Sequence, residues 1–258
     1  MKALVLAAGR GERLRPLTDS IPKPILEAGG RRLIEYPLLM LKRAGVTEVA
    51  INLHHLGDQL SATLGDGASL GMRIRYAPEP RLLGTAGPLP GLADFFAGQS
   101  FVVLNSDTII DLDLRRAIEC HRDRNALATF VLRRPAQNGV YSEILMDPHG
   151  RIGRMRLLTD RANRGFEEFQ APTVEPSSAL ASYMFCGITI CEPSVLKLPL
   201  APPPSSLMGD LFAPALRAGA KLYGFEYEGY FRTIDDLAAY EALQQEFRSN
   251  PPQLAFVD

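Results

Sequence analysis

Ala3-Leu4-Val5-Leu6-Ala7-Ala8-Gly9-Arg10-Gly11-Glu12-Arg13-Leu14-Arg15-Pro16-Leu17-Thr18 is the stretch from which the rest of the chain is read. Ala3 to Ala8 is a short apolar run broken at once by Gly9-Arg10-Gly11, the pattern of a buried strand entering a loop. Two glycines directly after that strand let the backbone turn sharply and aim consecutive N–H groups at an anion. Arg13, and Lys23 within Pro22-Lys23-Pro24, add positive charge. A phosphate-rich ligand fits this arrangement. A tight turn with solvated arginines fits it too, and the two glycines alone do not separate the readings. A Walker A loop needs Gly-Lys-Ser/Thr at its end, and the dinucleotide fingerprint needs a third glycine where Leu14 stands, so neither is present.

Outward from this loop, strand and helix patterns alternate, the signature of a parallel sheet covered by helices on both faces. Strands are predicted at Ala3 to Ala8, Glu48 to Leu53, Met72 to Tyr76, Phe101 to Asn105 and Leu127 to Leu132. Between them, Leu33 to Arg43, Leu56 to Leu64, Ala86 to Phe96 and Leu112 to Arg122 carry apolar residues at helical spacing. Pro37 suits only the first turn of its helix. Near residue 135 the rhythm changes. Tyr141 to Asp147, Pro148-His149-Gly150 and Arg151 to Leu157 read as a hairpin, a β-rich cap on the sheet. Thr159 to Ser178 is polar and holds Pro172 and Pro176, an exposed excursion or lid. Leu180 to Cys191 is a long strand. After Pro202-Pro203-Pro204 come a helix at Leu207 to Arg217, strands at Lys221 to Tyr227 and Tyr230 to Ile234, and a helix at Leu237 to Phe247. The predicted class is α/β: a Rossmann-like, mixed but mainly parallel sheet flanked by helices, with a small β-rich cap.

Composition narrows the function. The chain has 258 residues, and its 28 Lys+Arg against 29 Asp+Glu leave a formal charge of −1, so no global field draws in nucleic acid or an anionic membrane. Phosphate binding must therefore come from a local constellation. Cys120, Cys186 and Cys191 form no Cys-x-x-Cys, which argues against a disulfide framework or zinc cage and for a reducing, cytoplasmic setting. The N-terminal apolar run is too short for a signal peptide, and no stretch approaches a membrane span.

Further segments add chemistry. In Leu83-Gly84-Thr85-Ala86-Gly87-Pro88-Leu89, two glycines and a threonine suit either close backbone approach to a ligand or a plain helix N-cap. Phe101-Val102-Val103-Leu104-Asn105-Ser106-Asp107 is a buried strand ending in a carboxylate, where open α/β sheets bind ligands and where a metal ligand is expected; the alternative is a cap for the next helix. In Phe231-Arg232-Thr233-Ile234-Asp235-Asp236-Leu237, either aspartate could cap the final helix. His54, His55, His121 and His149 lack metal spacing and read as structural. The arginines at 151, 154, 156, 161 and 164 read as a solvated hairpin face.

Taken whole, Gly-x-Gly-x-Arg-Leu-x-Pro-Leu-Thr with the following Pro-Lys-Pro resembles the signature of the sugar-1-phosphate nucleotidyltransferases. These enzymes join a nucleoside triphosphate to a sugar 1-phosphate and release pyrophosphate. Leu83 to Leu89 resembles the base- and sugar-contacting loop of that family, in wording closest to its mannose-1-phosphate guanylyltransferase branch, which favours GTP. The resemblance implies the nucleotide-diphospho-sugar transferase fold, as one domain over 1–248 with a nucleotide half to 135, a sugar-binding and closure half over 136–248, and a tail over 249–258. It implies nucleotide contacts from Leu6, Ala7, Ala8, Gly9, Gly11, Arg13, Lys23, Gly84 and Thr85, with Arg13, Lys23 and Asp107 as catalytic residues. Asn105, Tyr141, Ser142 and Gly187 would line the sugar site, and Asp107 with Asp235 would hold Mg²⁺.

The chain also departs from the family. Ser106 replaces a glycine before Asp107, the usual Glu-Lys-Pro is not evident, and the late Trp-x-Asp-Ile-Gly-Thr-Pro puts Thr233 at the aspartate position. A threonine hydroxyl is a poor Mg²⁺ ligand. A smaller branch, resembling choline-phosphate cytidylyltransferases, has its acidic residue later, which selects Asp235 with Asp236 in reserve. These departures leave two rivals: a nucleotide-sugar-binding regulatory protein without turnover, and a cytidylyltransferase acting on a non-sugar phosphate such as phosphocholine.

Overall fold

The computed structural model describes residues 1–135, 141–160, 165–173 and 179–257. Up to residue 135 the elements are β1 (Lys2–Leu6), β2 (Glu27–Ala28), β3 (Arg31–Arg32), α1 (Glu35–Arg43), β4 (Glu48–Leu53), α2 (Gly57–Leu64), β5 (Arg73–Pro78), α3 (Ala93–Phe96), β6 (Phe101–Asn105), β7 (Thr108–Ile110), α4 (Leu114–Asp123) and β8 (Ala128–Arg133). There follow β9 (Glu143–Met146), β10 (Ile152–Asp160), β11 (Gly165–Gln170), β12 (Ala181–Cys191), α5 (Ala213–Arg217), β13 (Leu222–Glu226), β14 (Phe231–Thr233) and α6 (Leu237–Ser249).

The main sheet runs β11-β10-β9-β12-β6-β1-β4-β5, with β8 on the other edge of β12 and β13 beside β8. Strands β6, β1, β4 and β5 are mutually parallel, whereas β12 is antiparallel to β6, β8 and β9. Continuous apolar runs such as Ala3-Leu4-Val5 and Val49-Ala50-Ile51 lie fully buried because helices or loops cover both faces of a parallel sheet. In α4 the buried positions Leu114, Ala117, Ile118 and His121 recur at helical spacing, and Asp113 caps the helix by accepting the Arg115 N–H. Separate apolar clusters fill the two faces of the sheet, and a third joins α6 and Leu254 to Leu14, Tyr36 and Ile234. No helix among the described residues is long and apolar enough to cross a membrane.

Four local expectations are corrected. The helix predicted at Ala86 to Phe96 is turns followed by a short α3, because Pro88 and Pro90 interrupt it and Ala86 N–H bonds to Ser205 O. The helix predicted at Leu207 to Arg217 starts as a wide π-type turn over Leu207–Phe212 and becomes α-helical only in α5. The excursion over Thr159 to Ser178 contains β11, which pairs antiparallel with an extended β10; Pro176 lies outside the described residues. Strand β1 stops at Leu6 because the Ala7 N–H turns to the Asn52 side chain, 2.7 Å away.

Candidate active site

The chain leaves β1 toward β4 on one side and later returns to pair β6 on the other, so a crevice opens beyond the carboxyl ends of β1 and β6. It has a volume of about 620 Å³. The first loop supplies Leu6, Ala7, Ala8, Gly9, Gly11 and Arg13 to its wall, and Lys23 stands beside them. Gly84 and Thr85 form the opposite lip, while Asn105, Asp107 and Asp235 line the floor.

Several bonds hold the first loop. Gly11 has φ 64, and its carbonyl accepts the Leu14 N–H and the Thr18 hydroxyl, each at 2.8 Å. A Cβ on Gly11 would lie 2.9 Å from Thr18 Cγ2. His55 pins the same turn through the Thr18 carbonyl, one of the structural roles expected of the histidines. The N–H groups of Gly9, Arg10 and Gly11 carry no hydrogen bond to described residues and belong to residues lining the cleft. Successive free amides of this kind suit an anion.

The second loop is built differently. Gly84 has φ +81, and a Cβ there would meet the Ser205 carbonyl oxygen at 2.3 Å. Thr85 Oγ1 accepts the Leu207 N–H at 2.8 Å, so its hydroxyl ties the lip to the start of the Leu207–Phe212 turn and does not cap a helix of its own loop.

Charge in the cleft is paired crosswise. Lys23 Nζ donates to Asp107 in a largely buried contact, and an Arg13 guanidinium nitrogen lies 3.2 Å from Asp235 Oδ1 in a half-exposed one. Asp236 is used elsewhere: its carboxylate accepts the Ala239 N–H at 2.9 Å and caps α6. Asp107 caps no helix, since α4 is capped by Asp113. Two carboxylates on one polar floor are hard oxygen donors of the kind Mg²⁺ takes alongside ligand phosphates and water. Among the described residues no group of three His, Cys, Asp or Glu side chains forms a ready-made metal cage.

A smaller cavity of about 260 Å³ adjoins this cleft and shares Asn105 and Asp235 with it. Tyr141-Ser142, Gly187 and Thr233, from three separated stretches of sequence, meet there. Gly187 has φ +77 at a register shift in β12, and a Cβ would lie 2.8 Å from Asn105 Nδ2. The Ser142 hydroxyl accepts the Leu158 N–H. Burial pushes the Cys186 thiol up to about 12, so it is no nucleophile near neutrality. Arg154 and Arg156 of the basic hairpin pair with Glu143 and Glu168, while positions 161 and 164 lie outside the described residues.

Two residues escaped the sequence reading. Asn52, at 2% exposure, accepts the Ala7 N–H and donates to Glu79 Oε1 at 2.8 Å. Glu79, at 6% exposure, also accepts the Leu83 N–H on Oε2 at 2.9 Å. The available signal was a polar residue inside the apolar run Val49 to Leu53.

Known proteins extend these findings. Residues 2–156 match the sequence model described as Nucleotidyl transferase. A Synechocystis sp. protein named UTP--glucose-1-phosphate uridylyltransferase is 34% identical over 248 residues, 91% of this chain and 60% of its own length. A protein of Neisseria meningitidis serogroup B named N-acetylmuramate alpha-1-phosphate uridylyltransferase is 48% identical over 120 residues, 46% of this chain and 52% of its own. The chain thus matches little more than half the length of either relative. HddC from Yersinia pseudotuberculosis, solved in complex with GMP-PN, superposes with a TM-score of 0.72 over 95% of this chain and 99% of that one, at 20% identity, which speaks for a shared fold. With its glycine loop at the carboxyl end of β1 and the match over residues 2–156, this chain belongs to the nucleotidyl transferase family.

Proposed function

We propose that the protein transfers a nucleoside monophosphate from a nucleoside triphosphate to a sugar 1-phosphate, releasing pyrophosphate. The observation that carries this reading is that two adjoining cavities share part of a wall. The larger is edged by free amides and the cations Arg13 and Lys23, and the smaller shares Asn105 and Asp235 with it. A triphosphate in the first and a sugar in the second would bring an acceptor phosphate oxygen toward the α-phosphorus for in-line attack. Such transfers depend on positioning and charge neutralisation more than on covalent help from the protein. Arg13 and Lys23 would leave their carboxylate partners to neutralise the phosphates. The attacking oxygen is already ionised, so no general base is required.

Asp107 and Asp235 would hold Mg²⁺, which supplies neutralisation of phosphate charge and orientation of the leaving pyrophosphate. Uridine is the base the two named relatives support, whereas the Leu83 to Leu89 wording pointed to guanine. A panel of UTP, GTP, CTP and TTP against glucose, mannose and N-acetylmuramate 1-phosphates and phosphocholine, read by pyrophosphate release with and without Mg²⁺, tests the proposal. Metal-dependent release with UTP and a sugar 1-phosphate is expected. Nucleotide binding without release from any pair would instead support a regulatory binding protein.

A further inference from the structure

We infer that Asn52 and Glu79 are a positioning pair that sets the spacing of the two nucleotide loops, an inference that rests on the nucleotidyl transfer reading. The main-chain ladder pairs β1 with β4 as far as Val5 and Ile51, and β4 with β5 as far as Leu53 and Pro78. Beyond those points no main-chain ladder joins the two lips of the cleft to each other; the first is held by β6 as far as Leu6, and the second is tied to Ser205 through Leu83 O and the Ala86 N–H. Side chains continue the connection: Ala7 N–H donates to Asn52 Oδ1, Asn52 Nδ2 donates to Glu79 Oε1, and Leu83 N–H donates to Glu79 Oε2. The Glu79 main chain is itself fixed, its N–H on Leu53 O at 2.7 Å and its carbonyl beside His54 Nδ1 at 2.9 Å.

Each link has a fixed direction. Asn52 must accept on the Ala7 side and donate on the Glu79 side, and both Glu79 oxygens accept. No ion pair joins Glu79 to a described residue, so a buried carboxylate is kept on neutral donors alone. Burying such a group costs free energy that an apolar pair of similar shape would avoid. Stability therefore gives little reason for it, whereas joining Ala7 to Leu83, and so the first loop to Gly84 and Thr85, does. The acceptor-side cavity lies across β6 and contains neither residue, so the pair should govern nucleotide binding and leave the acceptor almost untouched.

The directionality supplies the test. Asn52→Asp sets two carboxylates face to face, and Glu79→Gln leaves one donor against another in either amide orientation. Combined, the changes restore every link: an aspartate at 52 accepts from Ala7 and from the glutamine amide, whose oxygen accepts from Leu83. Calorimetric binding of UTP, with GTP, CTP and TTP as further arms, is measured alongside acceptor KM and thermal midpoint. Each single variant is expected to weaken binding of the preferred triphosphate by about tenfold or more, with acceptor KM within about threefold. The double variant is expected to return to within about threefold of the parent affinity. Folded single variants that bind like the parent overturn the inference. So does a double variant that is unfolded or binds no better than the singles. If the singles do not fold, a folded double variant with parental affinity carries the inference. A parent protein that binds none of the four triphosphates refutes the functional reading itself.

Discussion

Gly84→Ala and Gly9→Ala probe two glycines of the same cleft for opposite reasons. At Gly84 the backbone is left-handed, and the added Cβ would lie 2.3 Å from Ser205 O, 2.7 Å from its N and 2.9 Å from its C. That segment cannot retreat freely, since Ser205 N–H bonds to Leu83 O and Ser205 O accepts the Ala86 N–H, each at 2.9 Å. The left-handed conformation costs alanine about 1–2 kcal/mol and displacing packed backbone about 1–3 kcal/mol, together about 2–5 kcal/mol. For a chain of this size that lowers the melting temperature by roughly 5–15 °C. At Gly9 a Cβ meets nothing within 4 Å, so stability should stay within about 0.5 kcal/mol. Gly9 nevertheless lines the cleft beside the free amides, and a side chain there should weaken triphosphate binding roughly tenfold. Urea unfolding and nucleotide titration of both variants check this. A Gly84→Ala protein as stable as the parent refutes the packing argument, and a Gly9→Ala protein binding like the parent refutes the assignment of the loop.

Three further outcomes follow from the same geometry. Lys23→Met removes the cation on Asp107; kcat/KM should fall roughly 10²- to 10³-fold, while Mn²⁺ alone, followed by paramagnetic resonance, should bind more tightly than to the parent. Unchanged Mn²⁺ affinity would show that Lys23 does not compete for the carboxylate. Asp235→Asn should abolish most metal-dependent turnover, whereas Thr233→Val and Asp236→Ser should retain it, because Thr233 lines the smaller cavity and not the cleft that holds Asp107, and Asp236 is occupied at the α6 cap. The reverse ranking would move the second metal position to Thr233 or Asp236. Burial holds the His121 imidazole below its ordinary pKa of about 6.5, against the raising effect of Glu192. The unfolded chain then binds that proton more tightly, so stability present above about pH 6.5 is lost as pH falls toward the folded value. His121→Gln should flatten the decline in urea midpoint between pH 7 and 5, and equal slopes would exclude His121 as its source.

The buried strands were legible because burial on both faces leaves long apolar runs: β4 and β6 start and stop where the pattern does. Elements governed by tertiary partners were not. Nothing local announces that Ala86 will bond to Ser205, and the polar Glu167-Glu168 pair hides β11, whose Phe169 is buried beneath Arg217. In the cleft, the glycine loop and the carboxylate after β6 could be read from residue type and position alone. Choosing between Asp235 and Asp236 could not, because one peptide bond separates them and only their tertiary partners differ: Asp235 lines the cleft and meets Arg13, whereas Asp236 accepts the Ala239 N–H. The Asn52–Glu79 pair was silent for a related reason: its three links join positions 45, 27 and 4 residues apart, and an asparagine in a strand reveals none of them.

In the proposed reaction the α-phosphoryl group moves to an acceptor seated in the neighbouring cavity. Label tracking tests it most directly: UTP carrying ³²P at either the α or the γ position is incubated with Mg²⁺ and the three sugar 1-phosphates, and the products are separated. The α label should appear in a nucleotide sugar and the γ label in pyrophosphate, with both transfers lost in Asp107→Ala. Release of γ label as orthophosphate, or full turnover by Asp107→Ala, would contradict the account.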